Sequence, residues 1–115
     1  MKIRVQSIHF NADRKLLAFI QKKADKLEQF FDQIISAEVY LRLEKTEDEL
    51  NKILEIKLNI PGNMLFSKQQ CKSFEEAADL AVESLRRQID KHKSKLNTHL
   101  SNYKTDLVAA MANPY

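Results

Sequence analysis

The sequence predicts an α+β domain of order β-α-β-β-β-α: a four-stranded, mostly antiparallel sheet with two helices on one face. Three observations lead there. Polar and apolar residues alternate over residues 2–8, 35–44 and 54–60, the period of half-buried strands. The period lengthens to that of a helix over residues 14–31 and again from Ser73 to about Leu100. The strongest turn signal, Pro61-Gly62-Asn63, separates one alternating stretch from a further apolar run.

In chain order, Lys2, Arg4 and Gln6 alternate with Ile3, Val5 and Ser7, giving a first strand with one polar face. Asn11 or Asp13 supplies a short side-chain oxygen to cap the helix that follows. That helix runs from Arg14 to about Phe31, with Leu16, Ile20, Ala24, Leu27 and Phe31 on its buried stripe. Lys15, Lys22 and Lys26 fall on one flank of the stripe beside Phe19, and Lys23 lies close to it. A second strand spans Ile35 to Glu44, and Lys45-Thr46-Glu47-Asp48-Glu49 forms an acidic connection. Leu54, Ile56, Leu58 and Ile60 mark the third strand, and a fourth folds back from the turn as a hairpin over Met64 to about Gln70. Met64, Leu65 and Phe66 are consecutive apolar residues, so the buried face of this strand stays open. Ser73 caps the last helix, and Glu75 and Glu76 sit in its first turn where negative charge is favourable. Its buried stripe is Ala78, Val82, Leu85, Ile89, His92 and Leu96. Arg87, Lys91 and Lys95 recur every four residues as a ladder away from that stripe, with Arg86 and Lys93 on the other flank. Two helices side by side are expected to bring the Lys15/Lys22/Lys26 flank and the ladder onto one surface. The folded domain is placed at residues 1–100 and a loosely ordered tail at residues 101–115.

Composition narrows the function. At 115 residues, 43% apolar and 30% charged, the chain is one heavily solvated domain. No window approaches the roughly 18 apolar residues of a membrane span, and no secretory apolar run follows Met1. A cytoplasmic protein with no membrane partner is expected. One cysteine, Cys71, leaves no internal disulfide, and one glycine, Gly62, excludes glycine-rich phosphate loops. His9, His92 and His99 have no cysteine or carboxylate at ligand spacing, and Cys71 beside Lys72 has no nucleophile motif around it. No metal, cofactor, small-molecule substrate or catalytic residue is therefore expected, and the chain is not read as an enzyme.

Charge is the informative property. The net value is only +3, but residues 1–27 carry seven basic and two acidic side chains, and residues 84–104 carry six and one. Residues 28–83 carry six basic and twelve acidic. Two basic ends around an acidic middle suggest a polyanionic partner. Tyr40, Phe66 and Tyr103 are able to stack on bases, although apolar aromatics more often fill a core.

The stretches Lys26-Leu27-Glu28, Asn59-Ile60-Pro61-Gly62, Ala77-Ala78-Asp79 and Leu85-Arg86-Arg87-Gln88-Ile89-Asp90-Lys91, on this six-element order, carry a resemblance. Over residues 1–97 the chain resembles the ribosome hibernation promoting factors, also called ribosome-associated inhibitors, in their short form. The resemblance implies binding to ribosomal RNA of the small ribosomal subunit, in the messenger and transfer RNA channel of resting bacteria. It implies RNA contacts at Lys23 and Lys26 of the first helix and Arg87, Lys91 and Lys95 of the second. With the flank residues Lys15, Lys22 and Arg86, these make up the candidate rRNA-binding set. The separate dimerisation domain of long members and the acidic tail of one short branch are not found in the sequence. The rival expectation is a protein-interaction module that modulates transcription without touching ribosomes.

Overall fold

The computed structural model describes residues 1–105 apart from Thr46 and Asp48, with side chains described as far as Lys95. The strands are β1 (Lys2–Ser7), β2 (Ser36–Leu43), β3 (Lys52–Ile60) and β4 (Asn63–Cys71). The helices are α1 (Arg14–Asp25), the single turn α2 (Leu27–Phe30) and α3 (Phe74–Thr105). The sheet has the order β1-β2-β3-β4. β1 runs parallel to β2, and the other two pairings are antiparallel. A helix between β1 and β2 permits a parallel pair, because the crossover returns the chain to the starting end of the sheet.

Alternation sets the two faces. Ala37, Val39 and Leu41 of β2, with Leu54, Ile56, Leu58 and Ile60 of β3, point under the helices and are buried. They meet Ile20 and Ala24 of α1, Leu27 of α2, and Phe74, Ala77, Ala78, Ala81, Val82, Leu85 and Ile89 of α3 in one core. β4 buries Leu65, Ser67 and Cys71 and leaves Met64 and Phe66 exposed, which settles the open choice in that strand. The opposite sheet face is uncovered and carries cross-strand ion pairs, Arg42 to Glu55 at 3.0 Å and Lys57 to Glu38 at 3.9 Å.

The hairpin turns on Pro61 and Gly62, with Ile60 opposite Asn63. Gly62 has φ of 75°, a region open to glycine and strained for side-chain-bearing residues. Of the two expected caps for α1, Asp13 holds the N-cap position, but its side chain makes no capping hydrogen bond. Ser73 does cap α3, its Oγ accepting from the Glu76 N–H at 3.1 Å.

Two helix ends depart from periodicity. The first helix breaks at Lys26 instead of running on to Phe31, because the Lys26 N–H donates to Lys23 O and the Gln29 N–H to Lys26 O. Those bonds span three residues, a tightening that rotates the chain while keeping Leu27 wholly buried. The last helix continues to Thr105 rather than stopping near Leu100. Between Leu100 and Thr105 the sequence is Ser-Asn-Tyr-Lys-Thr, too short and polar a run for a hydrophobic stripe to report the helix's length. Residues 106–115 of the expected tail lie outside the described residues.

Candidate nucleic-acid interface

Lys22, Lys23 and Lys26 of the first helical segment line a shallow cleft with Phe19. Lys15 is exposed further toward the N-terminus of α1, on the same flank by helical spacing. Lys23 differs from its neighbours. Its ammonium forms an ion pair with Asp79 of α3 at 2.8 Å and lies 5.4 Å from the Phe19 ring centroid. Lys23 therefore ties α1 to α3, which accounts for its closeness to the buried stripe.

On α3, Lys91 and Lys95 line a groove with Asn63, Leu65, Gln88 and His92. This flank leans over β4, where the Gln88 side-chain amide donates to Phe66 O at 2.8 Å. Arg87 is exposed beside it. The opposite flank of α3 faces α1 and α2: Asp79 meets Lys23 there, and the Lys93 ammonium donates to Phe30 O at 3.1 Å. Arg86 belongs to that second flank and is held by Glu83 at 2.7 Å and Asp90 at 3.2 Å. The hydrogen bond from Arg86 lowers the Glu83 carboxyl below its ordinary pKa, and the same bond raises the Arg86 guanidinium.

The eight candidates thus separate. Lys15, Lys22, Lys26, Arg87, Lys91 and Lys95 form no ion pair among the described residues, whereas Lys23 and Arg86 are engaged by carboxylates. The ladder lies on the β4 side of α3 and the α1 flank on the far side of a seam containing Asp79, Glu83 and Asp90. The expected single basic surface is two cationic tracks separated by a seam in which Asp79, Glu83 and Asp90 are matched by Lys23, Arg86 and Lys93. Sequence reasoning missed the seam and the groove residues Asn63 and Gln88. The three- and four-residue spacings of Glu83, Arg86 and Asp90 were the available signal for the seam.

The remaining candidates resolve simply. Tyr40 and Phe66 belong to the uncovered sheet face and not to the core, while the Tyr103 and His99 side chains lie outside the described residues. His92 is half-buried at the core edge, its ring meeting Phe31 edge-on at 5.7 Å between centroids. Cys71 is buried, and desolvation, aided by the nearby Glu76 charge, raises its thiol above the ordinary value. Since the thiolate is the nucleophile, that environment suits an inert side chain. Among the described residues no group of three His, Cys, Asp or Glu side chains is placed to hold a metal ion. No helix among them is long and apolar enough to cross a membrane.

Residues 3–97 match the family described as Sigma 54 modulation protein / S30EA ribosomal protein, and the chain belongs to it. Its relatives include proteins named ribosome hibernation promoting factor, the group suggested by the residues around Arg87. That of Klebsiella oxytoca is 33% identical over 81 residues, covering 70% of this chain and 81% of its own. That of Escherichia coli strain K12 is 28% identical over 99 residues, covering 86% and 100%. The ribosome hibernation promotion factor of Bacillus subtilis is 30% identical over 97 residues, 84% of this chain but 51% of its own. Among solved structures, a ribosomal subunit interface protein from Coxiella burnetii superposes with a TM-score of 0.72 at 19% identity, covering 82% of this chain and 99% of its own. The N-terminal domain of Thermus thermophilus Protein Y gives 0.68 at 22%, covering 80% and 99%. These two share the fold.

Proposed function

We propose that this chain is a translation inhibitor of resting bacteria that associates with the small ribosomal subunit and occupies its messenger and transfer RNA channel. The contacts are phosphates of ribosomal RNA, met by the cationic tracks of α1 and α3. One observation carries the reading: Lys15, Lys22, Lys26, Lys91 and Lys95 on the helical side of the sheet, and Arg87 beside Glu83, form no ion pair among the described residues. A surface that merely keeps a protein soluble mixes both signs. Here Lys15, Lys22 and Lys26 along one helix and Lys91 and Lys95 along the other gather cations of one sign into two rows.

Phosphate contacts of this kind fix position without reading sequence. On folded RNA they suffice, because shape and backbone dominate recognition there. No bond is made or broken. Inhibition follows from occupying space that a messenger or transfer RNA needs, and the ribosome hibernation relatives support that role.

Sedimentation of stationary-phase lysate through a low-salt gradient tests the proposal. The protein is expected with small subunits and intact ribosomes. Recovery only at the top of the gradient overturns it and favours the protein-interaction alternative.

A further inference from the structure

The uncovered face of the sheet carries two aromatic side chains, Tyr40 on β2 and Phe66 on β4, that take no part in the core. Tyr40 is half-buried, and Phe66 is 46% exposed, a large apolar area for a face of polar and charged side chains. Phe66 lies opposite Lys57 in the strand register, and Met64 and Lys68 flank it on the same face. The Gln88 amide donates to Phe66 O at 2.8 Å and so fixes the edge strand beneath the ring.

Charge on this face is unbalanced. The strand residues that alternate outward include five cations, Lys2, Arg4, Arg42, Lys57 and Lys68, and two carboxylates, Glu38 and Glu55. Glu55 is held by Arg42 at 3.0 Å and Glu38 faces Lys57 at 3.9 Å. Lys2, Arg4 and Lys68 are left without an ion pair among the described residues. Lys2 and Arg4 border a shallow depression with Ser36 and Glu38, where β1 lies beside β2. The acidic connection follows the other end of β2, where Gln70 donates to the Glu44 carboxylate and to Leu50 O at 2.6 Å each and Ile53 is buried. With Glu44 counted, the face still carries net positive charge.

We propose that this face seats single-stranded RNA, with phosphates at Lys2, Arg4 and Lys68 and unpaired bases stacked on Tyr40 and Phe66. From β1 to β4 the path spans three strand spacings, about 14 Å, which a few nucleotides of extended strand cover. Stacking accepts any base, because every base has a π-face, but it requires bases free of pairing. A duplex gains the phosphate contacts alone. An acidic peptide would meet the cations equally well, and the two rings favour the nucleic acid. Membership of a family that includes ribosomal proteins makes RNA the strand at hand. The seat lies on the opposite side of the sheet from the cationic tracks of α1 and α3, and it stands without the reading that assigns those tracks to ribosomal RNA.

The test is Tyr40→Leu/Phe66→Leu, which removes both rings without changing charge. The full chain is titrated with a labelled uridine octamer and with an RNA duplex of the same length at about 0.15 M salt, where phosphate contacts alone are weakened. Small-subunit co-sedimentation and thermal unfolding are measured beside it. Octamer affinity is expected to fall by about tenfold or more, with duplex and small-subunit affinities changed by less than about threefold. Tyr40→Phe/Phe66→Tyr, which keeps a ring at each position, should bind the octamer like the unmodified protein. Phe66→Leu alone, at an exposed site, decides the matter if the double variant unfolds early: it should lose about threefold or more in octamer affinity at an unchanged midpoint. Unchanged octamer affinity in the leucine variants, or equal losses for octamer and duplex, overturns the seat. A polyglutamate peptide bound as tightly as the octamer, and equally by the leucine variant, makes the face a protein-docking surface and overturns the RNA assignment. Tighter binding of a DNA octamer overturns it as well. Octamer binding without small-subunit binding overturns the ribosomal reading and leaves this seat in place.

Discussion

A lysine is defined by its partner as much as by its charge, and Lys23 and Lys26 make the point within one turn. Lys26 is exposed and unpaired among the described residues, so its ammonium can exchange water for phosphate at little cost. Lys23 already holds Asp79 and lies over the Phe19 ring. Lys26→Ala is expected to weaken small-subunit binding and leave the unfolding midpoint unchanged. Lys23→Ala should do the reverse, lowering stability by about 0.5–1 kcal/mol through the lost ion pair and ring contact, with little loss of affinity. Thermal unfolding beside gradient co-sedimentation checks both. Equal losses of binding would show that Lys23 leaves Asp79 for the RNA.

At the scale of elements, α3 separates binding from folding by face. Leu85 and Ile89 are wholly buried under the helix, while Arg87, Lys91 and Lys95 are exposed. Changing those three to Glu should cost within about 0.5 kcal/mol each, yet abolish co-sedimentation and relieve inhibition in cell-free translation, since each change trades an attraction to phosphate for a repulsion. Leu85→Ala should cost about 2–5 kcal/mol by leaving a cavity, with binding lost only through unfolding. A folded triple variant that still inhibits would make the ladder an ordinary solvated face. Both faces were legible in the sequence because the 3.6-residue period separates them without knowledge of neighbours. The strands and the Pro61-Gly62 hairpin were legible for the same reason, since alternation and turn chemistry are local. The break at Lys26 was not, because a switch to bonds three residues apart leaves the apolar order unchanged. Nor was the seam, which depends on which flank of α3 faces α1. Periodicity places charges on a flank, but only packing decides what that flank meets.

For the whole molecule, residues 28–83, which separate the basic ends in sequence, supply β2, β3 and β4, the acidic connection before β3, and the start of α3 with Glu75, Glu76, Asp79 and Glu83. Within the sheet, Glu38 and Glu55 spend their charge on Lys57 and Arg42 across the uncovered face. Lys15, Lys22, Lys26, Arg87, Lys91 and Lys95 on the helical side form no ion pair among the described residues, and under the proposed reading that side meets the polyanion. Each phosphate neutralised releases condensed counterions, giving a slope of log affinity on log salt of about −0.9 per contact on a duplex. Six contacts, from the cations without carboxylate partners, predict a slope of about −5.4, and eight, with Lys23 and Arg86 included, about −7.2. Comparison within one protein removes the uncertainty of the coefficient. The double variant Lys23→Ala/Arg86→Ala should keep the slope of the unmodified protein for small subunits. A slope shallower by about two units would mean that both side chains reach phosphate. A flat dependence in both proteins would assign the affinity to apolar contacts and dismiss the cationic tracks altogether.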